Sequence, residues 1–198
     1  MKLNTPNILT LMRIAGIPVF VLAFYLPFEW ANALSAGIFL LAALTDWLDG
    51  YLARKLGQTS RFGAFLDPVA DKLLVAVALI LLVQAEPSPW LAIPAAVIIG
   101  REIAISALRE WMAESGERAQ VAVSYIGKIK TTAQMSAILL LLYHAPVGDF
   151  PTATVGLILL YVASALTLWS MMIYLQSAWP SLSSENNDKN DKDSAGNP

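Results

Sequence analysis

The sequence predicts an all-α integral membrane protein with six transmembrane helices and cytoplasmic N- and C-termini. Three observations lead there. Of 198 residues, 57% are hydrophobic and 14% charged, and the mean hydropathy is +0.58, a balance suited to lipid rather than water. Apolar segments of spanning length alternate with short turns. The basic residues keep to one side: the N-terminus, the 55–61 loop, the 114–130 region, the tail and the adjoining helix halves hold all thirteen Lys and Arg. The turns near 29, 86 and 149 carry Glu29, Glu86, Asp149 and His144 instead. That asymmetry places both termini in the cytoplasm. Residues 1–180 hold eleven basic and eleven acidic side chains, so no basic excess points to nucleic acid. The chain has no cysteine, which excludes disulfide and thiol chemistry.

Residues 7–28 make the first apolar segment, with Thr5 and Pro6 as cap and first-turn residue. A bend is expected near Gly16 and Pro18. Arg13 interrupts the run and no small-residue cleavage site follows, so an uncleaved helix is expected rather than a signal peptide. Asn7, Thr10 and Arg13 recur at helical spacing on one face. They would line the entrance to a polar site, or anchor the helix at the headgroups. Helices follow at 31–56, at 65–85 with Pro68 in its first turn, at 90–113, at 122–143 and at 152–178. The last carries Trp169, Tyr174 and Trp179 towards its end, as an interfacial belt would. Residues 181–198, rich in Ser, Asn, Asp and Lys, read as a disordered cytoplasmic tail. Residues 1–180 are then one transmembrane domain.

The chemistry concentrates between Asp46 and Asp71. Asp46 and Asp49 are three apart and share a helix face; Asp67 and Asp71 are four apart and do the same. If the third helix folds back on the second, four carboxylates converge. Each buried Asp in a membrane helix costs about 2.5–3.5 kcal/mol on insertion scales, and like charges in contact raise one another's pKa. Such a cluster calls for divalent cations, and hard oxygen ligands favour Mg²⁺, Mn²⁺ or Ca²⁺ over zinc. Gly50 and Ala53 keep the carboxylate face shallow, and Arg54 offers a planar fork for phosphate oxygens. Together these describe a site for phosphoryl chemistry.

The pattern D-x2-D-G-x2-A-R-x8-G-x3-D-x3-D resembles the signature of the CDP-alcohol phosphotransferases, integral membrane enzymes that make phospholipids. Asp46, Asp49, Gly50, Ala53, Arg54, Gly63, Asp67 and Asp71 fill every fixed position. The resemblance implies that a CDP-diacylglycerol donor sits over Gly50, Ala53, Arg54 and Gly63. Asp46, Asp49, Asp67 and Asp71 would hold two Mg²⁺ or Mn²⁺ ions, with Asp71 as general base. It also implies a homodimer in a bacterial inner membrane, its site facing the cytoplasm.

Basic residues further along suggest a second anion. Arg101 and Arg109 are eight apart on the fourth helix, about 80° around it and roughly 12 Å along it. Arginine in a spanning helix is expensive, although pairing with Glu102 and Glu110 is the plainer use. Lys128 and Lys130 point to different faces, so one of them reaches the cavity. An acceptor alcohol that carries phosphate would explain this charge. The runs from Asn7 to Ile14 and from Gly127 to Gln134, with the Arg-Glu pairs, resemble the branch of the family that uses sn-glycerol 3-phosphate. Attack on CDP-diacylglycerol would then give phosphatidylglycerol phosphate and CMP, with some of Arg101, Arg109, Lys128 and Lys130 holding the acceptor's phosphate. Serine, inositol phosphate or phosphatidylglycerol are the alternative acceptors. A divalent-cation transporter is the alternative class; it would spread acids through the membrane, whereas these gather at one side.

Overall fold

A computed structural model describes residues 5–56, 61–114 and 125–194. Six helices account for nearly all of them: α1 Thr5–Phe24, α2 Ala31–Leu56, α3 Arg61–Ala85, α4 Pro89–Glu114, α5 Tyr125–Tyr143 and α6 Thr152–Ser194. No β-strand is formed among the described residues; a lone bridge joins Val147 to Phe150 in the turn before α6. The 57–60 loop and the 115–124 stretch, including much of the polar segment at 114–120, lie outside the described residues.

Local chemistry sets the boundaries. α1 stops at Phe24, short of the predicted 28, because Leu26 precedes Pro27 and a pre-proline residue is driven out of the helical region. α3 starts at Arg61 rather than 65, so Pro68 is inside the helix and not in its first turn. The helix there lacks one i→i−4 bond, the one that would reach the carbonyl of Ala64. Ser88 opens α4: its hydroxyl accepts from the Trp90 amide at 3.3 Å, and Pro89 follows at the first helical position. α6 runs past the predicted end at 178 to Ser194. Most of the polar tail therefore has helical backbone instead of an irregular one. Extending an existing helix needs no new nucleus.

The α5–α6 turn is tight. His144 and Gly148 take left-handed backbone conformations, φ 58° and 59°, and the Thr152 hydroxyl lies 2.9 Å from the carbonyl oxygen of His144 and 2.8 Å from that of Ala145. α5 and α6 then pack closely, with Gly156 against Leu140, Leu141 and the Ala137 carbonyl. Inside, Phe20, Phe39, Leu79, Ile98, Ile138, Leu142 and Leu160 form one continuous core. Outside, large apolar side chains such as Leu22, Leu41, Ile103 and Trp169 are exposed on four different helices, far more apolar surface than a water-facing protein tolerates. Two helical segments, Pro89–Met112 and Thr152–Gln176, are long and apolar enough to cross a bilayer; Thr10–Phe24 and Ala31–Asp46 are shorter apolar runs.

The α5–α6 contact gives a direct test. A Cβ on Gly156 would sit 3.2 Å from a backbone oxygen that cannot step aside and 3.0 Å from Leu141. Gly156→Ala is expected to lower stability by about 1–3 kcal/mol, read as an earlier thermal transition in detergent. An unchanged transition would show that the helices separate freely.

Candidate active site

The polar groups gather at one end of the bundle, where α1, α3 and α5 begin and α2 ends. α1 crosses both α2 and α3, which carries its Thr10 and Arg13 to the aspartates. Arg13 is the centre: its side chain is 0% exposed, and one nitrogen, Nη1, donates to Asp46 Oδ1 at 2.8 Å and to Asp71 Oδ1 at 2.7 Å. Those two carboxylates are 42% and 45% exposed. One turn earlier on α1, the Thr10 hydroxyl donates to Asp67 Oδ1 at 2.5 Å. Arg13 and Thr10 therefore line no open entrance; they divide the carboxylates between them. Asp46 and Asp71 thus converge on one guanidinium nitrogen and Asp67 on the neighbouring turn of α1, while the side chain of Asp49 lies outside the described residues. The described aspartates meet α1, and a guanidinium already balances part of their charge.

Asp46 and Asp71 open onto a cavity of about 420 Å³, which Lys72, Glu102, Lys130 and Gln134 also line. Asp67 is outside its lining. Glu102 is the second hub: Oε1 accepts from Lys130 Nζ at 2.9 Å and from Arg101 Nη1 at 2.8 Å. Arg101 also reaches Ser170 on α6 at 3.0 Å and lies 6.0 Å from the Tyr174 ring. It is turned towards α6, not the cavity. Lys128 is exposed, whereas Lys130 is buried and lines the cavity. Of the two lysines, one reaches inside, as their spacing requires. The side chains of Asn7, Asp49, Ala53, Arg54 and Arg109, and the surroundings of Gly50 and Gly63, lie outside the described residues.

Lys72 escaped the sequence reading, and Gln134 entered it only as the end of a run, with no role. Lys72 follows Asp71 directly and donates to the Ser106 hydroxyl on α4. Gln134 lies one turn beyond Lys130 on α5; its i+4 position was the available signal. His144 belongs to the far end, near Phe24, Asn32 and Glu86.

The family model for CDP-alcohol phosphatidyltransferases matches residues 3–169. The chain belongs to that family. Relatives named CDP-diacylglycerol--glycerol-3-phosphate 3-phosphatidyltransferase match most of its length. The protein of Sodalis glossinidius is 59% identical over 90% of this chain and 96% of its own. That of Pectobacterium atrosepticum is 58% identical over the same shares, and that of Yersinia pestis 56% over 92% and 98%. CDP-alcohol phosphatidyltransferases generally depend on divalent metal, and the residues here fit such an ion. Asp46, Asp67 and Asp71 offer only hard oxygen donors, and two of them already surround a cation. Among the described residues no group of three ligands is preassembled, so Asp67 or Asp49 would have to join Asp46 and Asp71.

Arg13→Met keeps the length and removes the charge. With metal chelated, it is expected to destabilise the protein by about 1.5–3 kcal/mol, the range for a hydrogen bond to a charged group, while Arg13→Lys loses less. Thermal unfolding in chelator reads both. Equal stability of all three proteins would show that the carboxylates need no cation from α1.

Proposed function

We propose that this chain transfers a phosphatidyl group from CDP-diacylglycerol to sn-glycerol 3-phosphate, giving phosphatidylglycerol phosphate and CMP. The observation that carries the reading is that relatives 56–59% identical over at least nine-tenths of the chain bear the name of that enzyme. The cavity supports it: three carboxylates and two lysines line one space of a size that holds a small phosphorylated substrate.

The chemistry divides among named residues. The diphosphate of the donor lies against Arg54, with the nucleotide over Gly50, Ala53 and Gly63. Asp46, Asp49, Asp67 and Asp71 would hold Mg²⁺ or Mn²⁺, two ions in this reading. When bound, such ions screen the diphosphate and stabilise charge developing on the leaving phosphate. Lys130 and Arg109 hold the acceptor's phosphate, with Lys72 adding a further cation; Arg101 supports Lys130 through their shared partner Glu102. The acceptor's primary hydroxyl attacks the lipid-side phosphorus. A new O–P bond forms, the bond to the bridging oxygen breaks, and CMP departs with its electron pair. The hydroxyl proton passes to Asp71, which faces the cavity. Arg13 keeps Asp46 and Asp71 oriented before substrate arrives.

The same reading places six spans in the bacterial inner membrane, with both termini and the active site cytoplasmic. The one-sided distribution of Lys and Arg and the apolar outer faces support it. Residues 1–180 are the catalytic domain, 181–198 a cytoplasmic extension, and the working unit a homodimer.

Purified protein given CDP-diacylglycerol is expected to release CMP with sn-glycerol 3-phosphate and not with serine, inositol phosphate or phosphatidylglycerol. Chelation should stop the release, and Mg²⁺ or Mn²⁺ should restore it. Release with another acceptor alone, or full activity in chelator, would overturn the corresponding part.

A further inference from the structure

Among the described residues lining the cavity, one buried side-chain polar atom is not satisfied by the protein itself. Gln134 is 6% exposed and lines the space shared by Asp46, Asp71, Lys72, Glu102 and Lys130. Its Oε1 is buried and has no hydrogen-bond partner. A buried amide oxygen without a donor is unfavourable and is normally satisfied by something that binds. The neighbouring side chains do not serve it. The carboxylate oxygens of Asp46, Asp71 and Glu102 already act as acceptors, towards Arg13 and Lys130. Lys72 is directed to Ser106 and Lys130 to Glu102.

We propose that Gln134 is a specificity residue: Oε1 accepts a hydrogen bond from a second, non-reacting hydroxyl of the acceptor, so that the cavity selects a phosphorylated diol. The inference rests on the acceptor reading above and sharpens it. A phosphate claims cationic donors, which places it at the lysines. A nucleophilic hydroxyl must meet the carboxylate that takes its proton. The lining atom left without a partner, Gln134 Oε1, can only accept, and an O–H group is its complement. Lys130 and Gln134, four apart on α5, are separated by about 6 Å along the helix axis, a spacing that a three-carbon phosphorylated diol can bridge. sn-Glycerol 3-phosphate meets the requirement, its primary hydroxyl reacting and its secondary hydroxyl resting on Gln134.

The test uses the whole protein in detergent and two acceptors: sn-glycerol 3-phosphate, and 3-hydroxypropyl phosphate, which keeps the phosphate and the primary hydroxyl but lacks the secondary one. Sites built to bond a hydroxyl discriminate strongly against analogues without it. The wild type is expected to prefer glycerol 3-phosphate by about tenfold or more in kcat/KM. Gln134→Leu should bring that ratio close to one through loss of glycerol 3-phosphate turnover. The ratio is taken within one preparation, so partial loss of folded enzyme cancels. Gln134→Asn, which withdraws the amide by one carbon, reports the same ratio should the leucine variant not fold. A wild type that uses both acceptors equally, or variants that keep the wild-type ratio, would overturn the assignment and leave the acceptor reading intact. No CMP release by the wild type with glycerol 3-phosphate would sink both.

Discussion

The arrangement depends on one buried guanidinium. Arg13 lies on the first helix, fully enclosed, and a single nitrogen holds carboxylates from the second and third. The guanidinium places a positive charge between two carboxylates that would otherwise face each other in an apolar bundle. The same contact ties three helices at the end of the bundle where chemistry is needed. An arginine is suited to this because it is always charged and a terminal nitrogen alone carries two N–H donors, one for each carboxylate.

A second ionic hub repeats the idea on the other wall of the cavity. Glu102 holds Lys130 from α5 and Arg101 from its own helix, and Arg101 continues to Ser170 on α6. Charge placed this deep survives only in company. Both hubs contribute to the lining of one cavity, one presenting carboxylates and the other a lysine. Metal-assisted transfer to an anionic acceptor needs both signs within one small space. The far end of the bundle, with its short turns and His144, contributes closure, and the apolar outer faces contribute residence in lipid.

Much of this was legible in the residues. Hydrophobic runs between proline-rich turns gave the helix order, and the 3- and 4-residue spacings of the aspartates marked the face that carries chemistry. The departures have local causes. Pro27 ends α1 early through the residue before it, and Pro68 is carried inside α3 because the helix begins sooner than its apolar run. Arg13 and Thr10 could be put on one face, but periodicity cannot say which helices that face will meet. Their crossing of both α2 and α3 is a tertiary fact. Arg101 illustrates the reverse: spacing allowed it to face the cavity, while its neighbour Glu102 and Ser170 on another helix turn it away. Gln134 was visible as part of a run and silent as chemistry, since an amide signals a site only when its burial and missing partner are known.

The central claim is that Arg13 holds the place of an inorganic cation among ligands that a metal later shares. Anomalous diffraction from crystals soaked in manganese tests it most directly. The account predicts a manganese peak at oxygen-ligand distance from Asp46 and Asp71, joined by Asp67 or Asp49, with Arg13 displaced from at least one carboxylate. Carboxylates still locked to Arg13, and no peak beside them at manganese concentrations that support full activity, would contradict it.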